Sequence, residues 1–576
     1  MCGLIAAVSE DPSELDEDSL QQALATLAHR GPNGAGIWRS VRGDVWLGHR
    51  RLSIIDLSEA GRQPMASASQ RYQLTYNGEI YNFLELRAEL ASEHVFRSGT
   101  DSEVLLAAFA TWGASCLSKL RGMFAFAIWD TVEQRLFVAR DRFGVKPLYW
   151  HAMKHGVLVA SEIKALHACG VPRDPDPATW ATYLMSGLYD HSDRTFWQDV
   201  KSLPAGHAMT WSAARGVEIA RWYDAAHSVD LDDRPLAAVT DELEALLEQV
   251  VSLRFRSDVP VGLCLSGGLD SSLLLALTRK LYGRDAPIHT FTFYTGDPAY
   301  DELPWVEAAL RDGGQISHNA LLTADEVPLL AARVQASQDE PFGGLPTLGM
   351  AKVHELAKSF GITVLLDGNG IDEGWAGYDY YGRAATVTVS EGPVQGSRQR
   401  AVRPDCVLPE LAHHHRSHAV TAPFGDPVRD LQYRDLVVAK IPRAMRFADR
   451  VSMIFSRELR EPFLDHEVVE LGLRQPTDRK LRDGTGKWLV RQVARRLLPT
   501  ELHEAPKRPV QTPQREWLRG PLATWARQEI EHALAGWGRD WLNAAAVREA
   551  WREFEEQGWD NSFPIWQWIT LGMMTR

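Results

Sequence analysis

A short apolar stretch, a glycine-rich turn and an amphipathic helix follow one another in the second half of the chain, and this order restricts the fold more than any other feature. Residues 259–265 predict a buried strand, residues 266–272 the turn, and residues 271–282 the helix. Further apolar strands are predicted at residues 288–294 and 362–366. Strands that alternate with helices favour a parallel sheet, whose ligand loops lie at the carboxyl ends of the strands. We therefore predict an α/β domain here.

The first 149 residues have a different pattern. Short apolar stretches separated by turns predict a β-rich domain; they are residues 3–8, 45–48, 72–76, 124–129 and 136–139. Residues 19–28 and 102–112 carry apolar side chains three and four apart, which predicts helices that flank the sheets. A long helix at residues 240–256 opens the α/β pattern. We predict an amino-terminal domain over 2–215, a linker over 216–235 and a second domain over 236–576.

Length and charge narrow the class of protein. With 576 residues the chain is longer than one hydrophobic core normally supports, which agrees with two domains. A formal net charge of −13 and a pI of about 5.8 argue against nucleic-acid binding and favour small-molecule partners. Apolar runs such as residues 123–129 are too short to cross a bilayer, so no membrane partner is expected. Five cysteines without close pairing predict neither disulfides nor a zinc cluster, and they fit a cytoplasmic location.

The second residue of the chain is a cysteine. If the initiator methionine is removed, Cys2 carries a thiol and a free α-amine, which are a nucleophile and its own base. An α-amine has an unperturbed pKa of about 7.7 to 8.0 and can accept the thiol proton near neutral pH. A cysteine at this position can also lack a catalytic role, so motifs elsewhere in the chain decide whether Cys2 is a nucleophile.

The composition of the turn Ser266-Gly267-Gly268-Leu269-Asp270-Ser271-Ser272 indicates a phosphate-binding loop. Glycines let backbone amides approach an anion, and a helix amino terminus favours negative charge. The loop lacks the lysine that serves β- and γ-phosphates in other nucleotide loops, so it suits a leaving pyrophosphate. Asp270 remains for magnesium, which prefers carboxylate oxygens. After the third strand comes Asp367-Gly368-Asn369-Gly370-Ile371-Asp372-Glu373, in which Asp372 either shares that metal or only caps a turn.

Residues 387–431 are polar and rich in proline and glycine, and they contain His413, His414, His415 and His418. A metal site is one interpretation of these histidines. A solvated loop is the better one, because no second set of ligands with fixed spacing accompanies them.

Together these features resemble the glutamine-dependent asparagine synthetase family over nearly the whole chain. In the first half the resemblance rests on Cys2-Gly3, His29-Arg30-Gly31-Pro32, Arg51-Leu52-Ser53-Ile54, Asn77-Gly78-Glu79-Ile80-Tyr81-Asn82, Gly99-Thr100-Asp101 and Asp141-Arg142-Phe143-Gly144. In the second half it rests on the loop at 266–272, Asp339-Glu340-Pro341, Asp449-Arg450-Val451-Ser452-Met453, Arg460-Glu461-Pro462-Phe463-Leu464-Asp465 and Lys507-Arg508. The resemblance implies an α+β N-terminal nucleophile hydrolase sandwich (αββα), the class II glutamine amidotransferase domain. An α/β parallel-sheet domain of the adenine nucleotide α-hydrolase type, an ATP-pyrophosphatase with a PP-loop, is implied to follow it.

For the first half, the resemblance implies that Cys2 attacks the side-chain amide of glutamine, forms a thioester and releases ammonia. Asn77 and Gly78 are implied to form the oxyanion hole, where one donor typically lowers the barrier by roughly 2.7 to 4 kcal/mol. The implied glutamine-binding residues are Arg51 for the α-carboxylate, Glu79 and Asp101 for the ammonium, and Asn77.

For the second half, the resemblance implies attack of an acceptor carboxylate on the α-phosphorus of ATP, followed by displacement of AMP by ammonia. ATP and Mg²⁺ are the implied cofactors. The implied ATP-binding residues are Cys264, Ser266, Gly267, Gly268, Leu269, Asp270, Ser271, Ser272, Phe293, Asp367 and Gly368. Asp270 and Asp372 are the implied metal ligands. Lys507 is an implied catalytic residue, in a loop that departs from the family's usual sequence.

Three positions depart from the family. Members that make asparagine usually read Ser-Gly-Glu-Gly-Ala-Asp-Glu in the second loop, whereas this chain has Asp367 for the serine and Asn369 for the glutamate. An asparagine side chain has no titratable proton near neutral pH, so we expect a changed acceptor pocket at Asn369. Arg457 stands where the family commonly has leucine. The acceptor is therefore either aspartate or a carboxylic acid of a specialised biosynthetic pathway.

Two other classes of function are alternatives. One is a scaffold without catalysis, which the intact Cys2 and Asp270 oppose. The other is an intramolecular cyclase, which has no use for a complete glutamine site. The family also implies an internal passage for ammonia between the domains. The oligomeric state is open, with a homodimer as one option.

Overall fold

Two antiparallel β-sheets form the first half of the chain. The computed structural model of the protein describes residues 1–227, 229–311, 313–386, 402–416, 421–508, 512–556 and 561–576. The strands of the first half are β1 (Gly3–Ser9), β2 (Gly34–Arg39), β3 (Val45–Arg51), β4 (Met65–Ala66), β5 (Tyr72–Ile80), β6 (Gly122–Asp130), β7 (Arg135–Arg140), β8 (Tyr149–Ala152), β9 (Gly156–Ala160), β10 (Lys201–Ser202), β11 (His207–Ser212) and β12 (Gly216–Arg221). They pair in the orders β10-β8-β9-β1-β3-β2 and β12-β11-β7-β6-β5-β4.

Helices cover the outer face of each sheet. In the first half they are α1 (Glu17–Thr26), α2 (Phe83–Leu90), α3 (Asp101–Trp112), α4 (Cys116–Lys119), α5 (Ile163–Ala168) and α6 (Pro177–Ser186). Apolar clusters join α1 and α5 to the first sheet and α2 and α3 to the second. Another cluster, with Leu4 and Ala6 of β1 and Ala125 and Ala127 of β6, fills the space between the sheets. The αββα sandwich predicted for the first domain is confirmed.

The strands β1 and β5 lie inside their sheets and contact each other across the sandwich. Every residue of β1 is buried, because the strand is apolar except for Ser9 and pairs with β3 on one side and β9 on the other. β5 pairs with β6 and carries Asn77, Gly78 and Glu79 in one run. Cys2, directly before β1, therefore lies next to this run.

The second half contains a parallel sheet of five strands. They are β13 (Val261–Cys264), β14 (His289–Tyr294), β15 (Ile316–Leu321), β16 (Val364–Leu366) and β17 (Glu458–Arg460), in the order β15-β14-β13-β16-β17. The three strands predicted from the sequence are confirmed as β13, β14 and β16. The sequence did not predict β15, which is a polar and mostly exposed edge strand, or β17, which has only three residues.

Helices surround the parallel sheet. They are α7 (Leu236–Arg254), α8 (Leu269–Tyr282), α9 (Leu303–Leu310), α10 (Val327–Gln338), α11 (Leu345–Ser359), α12 (Ile371–Gly374), α13 (Pro409–Ala412), α14 (Pro427–Arg434), α15 (Ile441–Ile454), α16 (His466–Arg474), α17 (Trp488–Leu497), α18 (Thr500–His503), α19 (Gln514–Arg519), α20 (Ala523–Ala535), α21 (Gly538–Trp541), α22 (Ala544–Glu555) and α23 (Phe563–Met574). α6 packs in one apolar cluster with α10, α20 and α23, so the two domains share part of a core. Among the helices described here, none is both long and apolar enough to cross a membrane.

Part of the polar segment 387–431 is helical, which corrects the loop prediction for those residues, because α13 lies within the segment and α14 begins in it. Asp426 caps α14 by accepting hydrogen bonds from the backbone amides of Val428 and Arg429, and a proline takes the first helical position. Of the histidines in this segment, His415 lies 2.8 Å from Ser186 Oγ at the end of α6. Residues 387–401 and 417–420, which include His418, lie outside the described residues.

Candidate active sites

Cys2 lies directly before β1, where the two domains meet. Its backbone N–H donates to Asn77 Oδ1 at 2.9 Å, and its carbonyl accepts a hydrogen bond from Arg30 Nε at 2.9 Å. Its Sγ lies 3.9 Å from the Leu52 carbonyl oxygen. The residue is 8% exposed, and burial raises the pKa of its thiol. A thiol with a raised pKa needs a nearby base before it can act as a nucleophile.

Met1 occupies a buried position next to Cys2. Its amino group lies 3.4 Å from Glu458 Oε2, and its side chain belongs to the same apolar cluster as Leu52 and Tyr81. Burial lowers the pKa of this amino group. Removal of Met1 would turn the Cys2 nitrogen into an α-amine and would leave a space of one side chain at the domain boundary.

The side-chain amide of Asn77 contacts Cys2. The side chain is fully buried, its Oδ1 accepts from Cys2, and its Nδ2 has no hydrogen-bond partner in the part of the chain that the structure describes. A buried polar group without a partner costs about 1–3 kcal/mol, and a missing ligand or water is a common explanation. This donor belongs to the same amide group whose oxygen contacts Cys2, so it is a candidate to bind an oxygen atom of a substrate there.

The backbone N–H of Gly78 points away from β6. Phe124 is the residue opposite Gly78; its N–H donates to Asp141 Oδ2 at 3.1 Å, and its carbonyl accepts from the Asp141 N–H at 2.8 Å. Gly78 and Phe124 therefore lie opposite each other without hydrogen bonds between them. The N–H of Gly78 points to the edge of β5 that faces away from β6. A Cβ at Gly78 would lie 2.2 Å from the Met123 carbonyl oxygen, so only glycine fits. The Gly78 N–H, on the residue after Asn77, is a second candidate donor.

Arg51, the last residue of β3, lines a cleft of about 650 Å³ that we call the Arg51 cleft. Leu52, whose carbonyl faces the Cys2 thiol, lines the same cleft. The guanidinium of Arg51 donates to two backbone carbonyls, those of Ser58 at 2.6 Å and of Asp56. These bonds fix the guanidinium in the wall of the cleft.

Asp101, the first residue of α3, is a buried carboxylate. Its Oδ2 accepts hydrogen bonds from the Tyr76 hydroxyl at 2.8 Å and from the Ile80 N–H at 2.9 Å. Burial raises the pKa of Asp101 to about 6 although these bonds oppose the rise. The carboxyl is therefore charged at neutral pH and becomes neutral in mild acid.

Glu79 lies at the boundary between the domains. Its Oε2 lies 3.6 Å from Arg460 Nη2, and burial, with the nearby Glu458, raises its pKa well above the usual range. The structure thus brings Cys2 and Asn77 into direct contact, whereas the other predicted glutamine-binding side chains, Arg51, Glu79 and Asp101, are held by different partners around them.

The loop between β13 and α8 turns at Gly267. The φ of Gly267 is +69°, and a Cβ there would lie 2.6 Å from the backbone of Trp305, so only glycine fits. Ser266 Oγ lies 3.2 Å from Ser271 Oγ within the loop. The loop and the amino terminus of α8 line a large cleft of about 1230 Å³. Such a helix terminus attracts anions.

Two lysines join the carboxylates that the sequence predicts as metal ligands. Lys487 Nζ lies 2.7 Å from both oxygens of Asp270 and 2.5 Å from Asp372 Oδ1. Lys507 Nζ bonds to the other oxygen of Asp372. Burial acts to raise the pKa of Asp372, but the two lysines lower it to about 2. Burial acts to lower the pKa of Lys507, but Asp372 and Asp270 raise it to about 12.

The donor set fits a magnesium ion shared with a bound nucleotide. Asp270 and Asp372 meet at one lysine nitrogen, so their carboxylates lie close together at the carboxyl end of the sheet. Magnesium in proteins is usually held by one or two carboxylates together with substrate phosphates and water. Within the described ranges, no set of three or more His, Cys, Asp or Glu side chains surrounds a common metal position. Phosphate oxygens and water would therefore supply the other ligands.

Asp367 and Asn369 are bonded to each other. The Asn369 backbone N–H donates to Asp367 Oδ1 at 3.0 Å, and its side-chain Nδ2 donates to Oδ2. Burial raises the pKa of Asp367 to about 7. This carboxyl is therefore only partly charged near neutral pH, and the amide carries no charge.

Most of the residues predicted for ATP binding and amide formation line the large cleft. Its lining includes Cys264, Ser266, Gly268, Leu269, Asp270, Ser271, Phe293, Asp367, Gly368, Asn369, Asp372 and Lys507. Ser272 is fully buried in α8 and does not line the cleft. Gly267 shapes the loop through its backbone.

Sequence reasoning missed Lys487. This lysine is 3% exposed and precedes α17 with a φ of +57°, a conformation that is rare outside glycine. The residue is far from both aspartates in the sequence, so only the fold brings the three together. The available signal was a lysine that follows a glycine and precedes a stretch with apolar residues at helical spacing, residues 488–497.

Buried ionic contacts connect the two sites. Arg30, which donates to the Cys2 carbonyl, also donates to Asp449 of α15 at 2.8 and 3.1 Å and to Glu162 at 2.7 Å. Other residues of α15 line the large cleft: Ala444, Phe447, Ala448 and Val451. One helix therefore reaches both candidate sites.

Two family models match the chain. The model described as a glutamine amidotransferase domain matches residues 1–223, and the model described as asparagine synthase matches residues 242–576.

Curated relatives match over most of their length. Asparagine synthetase [glutamine-hydrolyzing] 3 of Bacillus subtilis is 30% identical, over 88% of this chain and 86% of that protein. Asparagine synthetase [glutamine-hydrolyzing] 1 of the same organism is 27% identical, over 90% of this chain and 88% of that protein. Amidase chry2 of Gibberella zeae is 26% identical, over 90% of both chains. Two of these relatives are named as asparagine synthetases, and the name of the third states no acceptor.

Proposed function

Because the chain belongs to the glutamine-dependent asparagine synthetase family, it is an ATP-dependent ligase that hydrolyses glutamine, and we propose roles for its residues in the two half-reactions. Glutamine hydrolysis takes place at Cys2. Amide formation takes place in the large cleft, where ammonia from the first reaction meets an activated acyl group.

In the first half-reaction, Cys2 freed of Met1 attacks the side-chain amide carbon of glutamine. The α-amine accepts the thiol proton and passes it to the leaving nitrogen, so that a thioester and ammonia form. Water then releases glutamate and restores the thiol. Asn77 Nδ2 and the Gly78 N–H bind the oxyanion. The support for this role is the buried Nδ2 without a described partner next to Cys2.

Glutamine is held by charges around the thiol. Arg51 binds its α-carboxylate, since a guanidinium matches a carboxylate through two parallel hydrogen bonds. Asp101 binds its ammonium as a carboxylate, and an oxygen of Glu79 accepts a hydrogen bond from the same ammonium. The position of Arg51 in the cleft wall beside Leu52 supports this assignment.

In the second half-reaction, a carboxylate oxygen of the acceptor attacks the α-phosphorus of ATP and pyrophosphate leaves. Ammonia then attacks the acyl carbon and AMP leaves. The backbone amides of the loop at 266–272 and the start of α8 hold the phosphates, while Lys487 and Lys507 neutralise the charge of the leaving pyrophosphate. Asp270 and Asp372 would hold Mg²⁺, which when bound neutralises phosphate charge.

The acceptor is a carboxylic acid other than aspartate. The observation that carries this choice is the contact between Asp367 and Asn369, in which an amide is bonded to a buried carboxyl with a pKa of about 7. Such a pair offers no full negative charge to the ammonium of an amino-acid acceptor. Aspartate is the second candidate, since relatives are named as asparagine synthetases.

A panel of acids tests this choice. Purified protein is incubated with ATP, magnesium and glutamine over carboxylic acids that include aspartate, and amides are detected by mass spectrometry. We expect an amide of another acid to exceed asparagine, and Asn369→Glu to raise the share of asparagine. Asparagine as the best product of the unaltered protein would contradict the choice of acceptor.

Two variants test the half-reactions separately. Cys2→Ser should abolish glutamate release and leave amide formation from added ammonia intact. Asp270→Ala should abolish pyrophosphate release and leave glutamate release intact. Loss of both activities in either variant would point to a folding defect instead, so circular dichroism of each variant is the control.

A further inference from the structure

The segment between α15 and β17 forms part of the wall of the Arg51 cleft. Ser456, with a φ of +56°, donates from Oγ to the His29 carbonyl of the first domain at 2.6 Å. The next residue, Arg457, lines the cleft together with Arg51. Thr363, directly before β16, also lines it. The cleft is therefore built from both domains.

Backbone carbonyls hold the guanidinium of Arg457. Its Nε donates to the Phe455 carbonyl at 3.1 Å, its Nη1 donates to the Ile362 carbonyl at 2.7 Å, and Thr363 Oγ1 lies 3.5 Å from Nη1. The side chain is half-buried, and no carboxylate of the described ranges forms an ion pair with it. A cation removed from water without an opposite charge is unfavourable. An anion in the cleft would therefore stabilise Arg457.

Positive charge dominates the Arg51 cleft. Its charged lining residues are Arg51, Arg62, Arg457 and Glu59. Arg62 is exposed and lies 3.4 Å from Glu59, which leaves Arg51 and Arg457 as the two cations without a carboxylate partner among the residues that the structure covers. A carboxylate is a small anion that matches a guanidinium, because it accepts two parallel hydrogen bonds from it.

We infer that Arg457 binds the α-carboxylate of glutamine together with Arg51, so that both domains hold the substrate. Leu52 lines the same cleft, and its carbonyl oxygen lies 3.9 Å from Cys2 Sγ, so a single residue contacts both the cleft and the thiol. The inference rests on the proposed role of Cys2 in glutamine hydrolysis and adds a binding residue from the second domain. It makes a free α-carboxylate a requirement, because a neutral group there would leave two cations unpaired.

The test compares glutamine with its α-amide, which lacks that carboxylate. Glutamate or glutamate α-amide release is measured for the unaltered protein, Arg457→Leu, Arg457→Gln and the control Arg62→Leu, which also removes one guanidinium from the cleft. We expect both Arg457 variants to raise the KM for glutamine about tenfold or more while kcat changes little, as loss of a charge-assisted hydrogen bond predicts. The preference for glutamine over its α-amide should fall by the same factor, and Arg62→Leu should keep it.

Ammonia-dependent amide formation reports whether each variant is folded. Arg457→Gln retains hydrogen-bond donors for the Phe455 and Ile362 carbonyls, so it tests the charge if Arg457→Leu does not fold. An unchanged KM, or an equal loss for glutamine and its α-amide, would overturn the inference and leave Arg457 with a structural role. If the unaltered protein released no glutamate at all, the proposed function of Cys2 would fail instead.

Discussion

At the scale of single residues, the donors around Cys2 lead to the first prediction. Asn77→Ala removes Nδ2 from the candidate oxyanion hole and should lower kcat for glutamate release by about 10²- to 10³-fold. Amide formation from added ammonia should stay within about twofold, because Asn77 does not line the large cleft. Steady-state assays of both activities measure the difference. A loss of less than about tenfold in glutamate release would exclude Asn77 as a main oxyanion donor.

Asp101 predicts a pH dependence. Burial holds its pKa at about 6, so the carboxyl carries charge above that pH and loses it as the pH falls through it. If Asp101 binds the ammonium of glutamine, kcat/KM for glutamine should decrease about tenfold per pH unit below that value. A pH profile of glutamate release measures this, and Asp101→Asn should remove the inflection. An inflection that persists in Asp101→Asn would assign it to another group.

Residues in short contiguous motifs could be predicted from the sequence, and residues that only the fold brings together could not. Cys2, Asn77 and Asp270 stand in such motifs. Lys487 lies between Asp270 and Asp372 because α17 begins beside the sheet, which no local pattern indicates. Ser272 was wrongly predicted as an ATP-lining residue. It belongs to the motif, but its position on α8 places its side chain in the core.

Among the helices and strands, the spacing of apolar residues predicted the elements that bury one face. The helix predicted at residues 102–112 is α3 (Asp101–Trp112), and the helix predicted at residues 271–282 is α8 (Leu269–Tyr282). The edge strand β15 and the three-residue strand β17 were missed, since an exposed or very short strand has no apolar alternation. The helix α14 was missed because the polar side chains around it hid the cap at Asp426.

The loop before α8 carries the third prediction. Gly267→Ala places a Cβ 2.6 Å from the Trp305 backbone at a φ of +69°, a strain of about 1–3 kcal/mol or more. Pyrophosphate release should fall, while glutamate release should be unaffected. Gly268→Ala is the matched variant, because Gly268 has a φ of −72° and, among the residues that the structure describes, its Cβ would meet only Ser266 Oγ, at 3.4 Å. Equal effects of the two substitutions would contradict a conformational requirement at Gly267.

At the scale of the whole molecule, motifs that the sequence assigned to separate domains contact each other. Arg30 lies in the first domain and Asp449 in the second, yet they form a buried pair that also includes Glu162. Pattern analysis treats each half alone, so it could not predict this contact. The pair links the carbonyl of Cys2 to α15, whose other side lines the large cleft. We therefore expect the position of Cys2 to depend on the second domain.

Asp449→Ala tests this dependence. The substitution leaves Arg30 with Glu162 alone, and removing one partner of a buried ion pair typically costs about 3–5 kcal/mol, so the melting temperature should fall. Because Arg30 then fixes the Cys2 carbonyl less firmly, glutamine-dependent amide formation should decrease more than ammonia-dependent amide formation. Asp449→Asn, which retains an oxygen acceptor for Arg30, should lie between the unaltered protein and Asp449→Ala. If both activities decreased by the same factor in each variant, the pair would stabilise the fold without positioning the nucleophile.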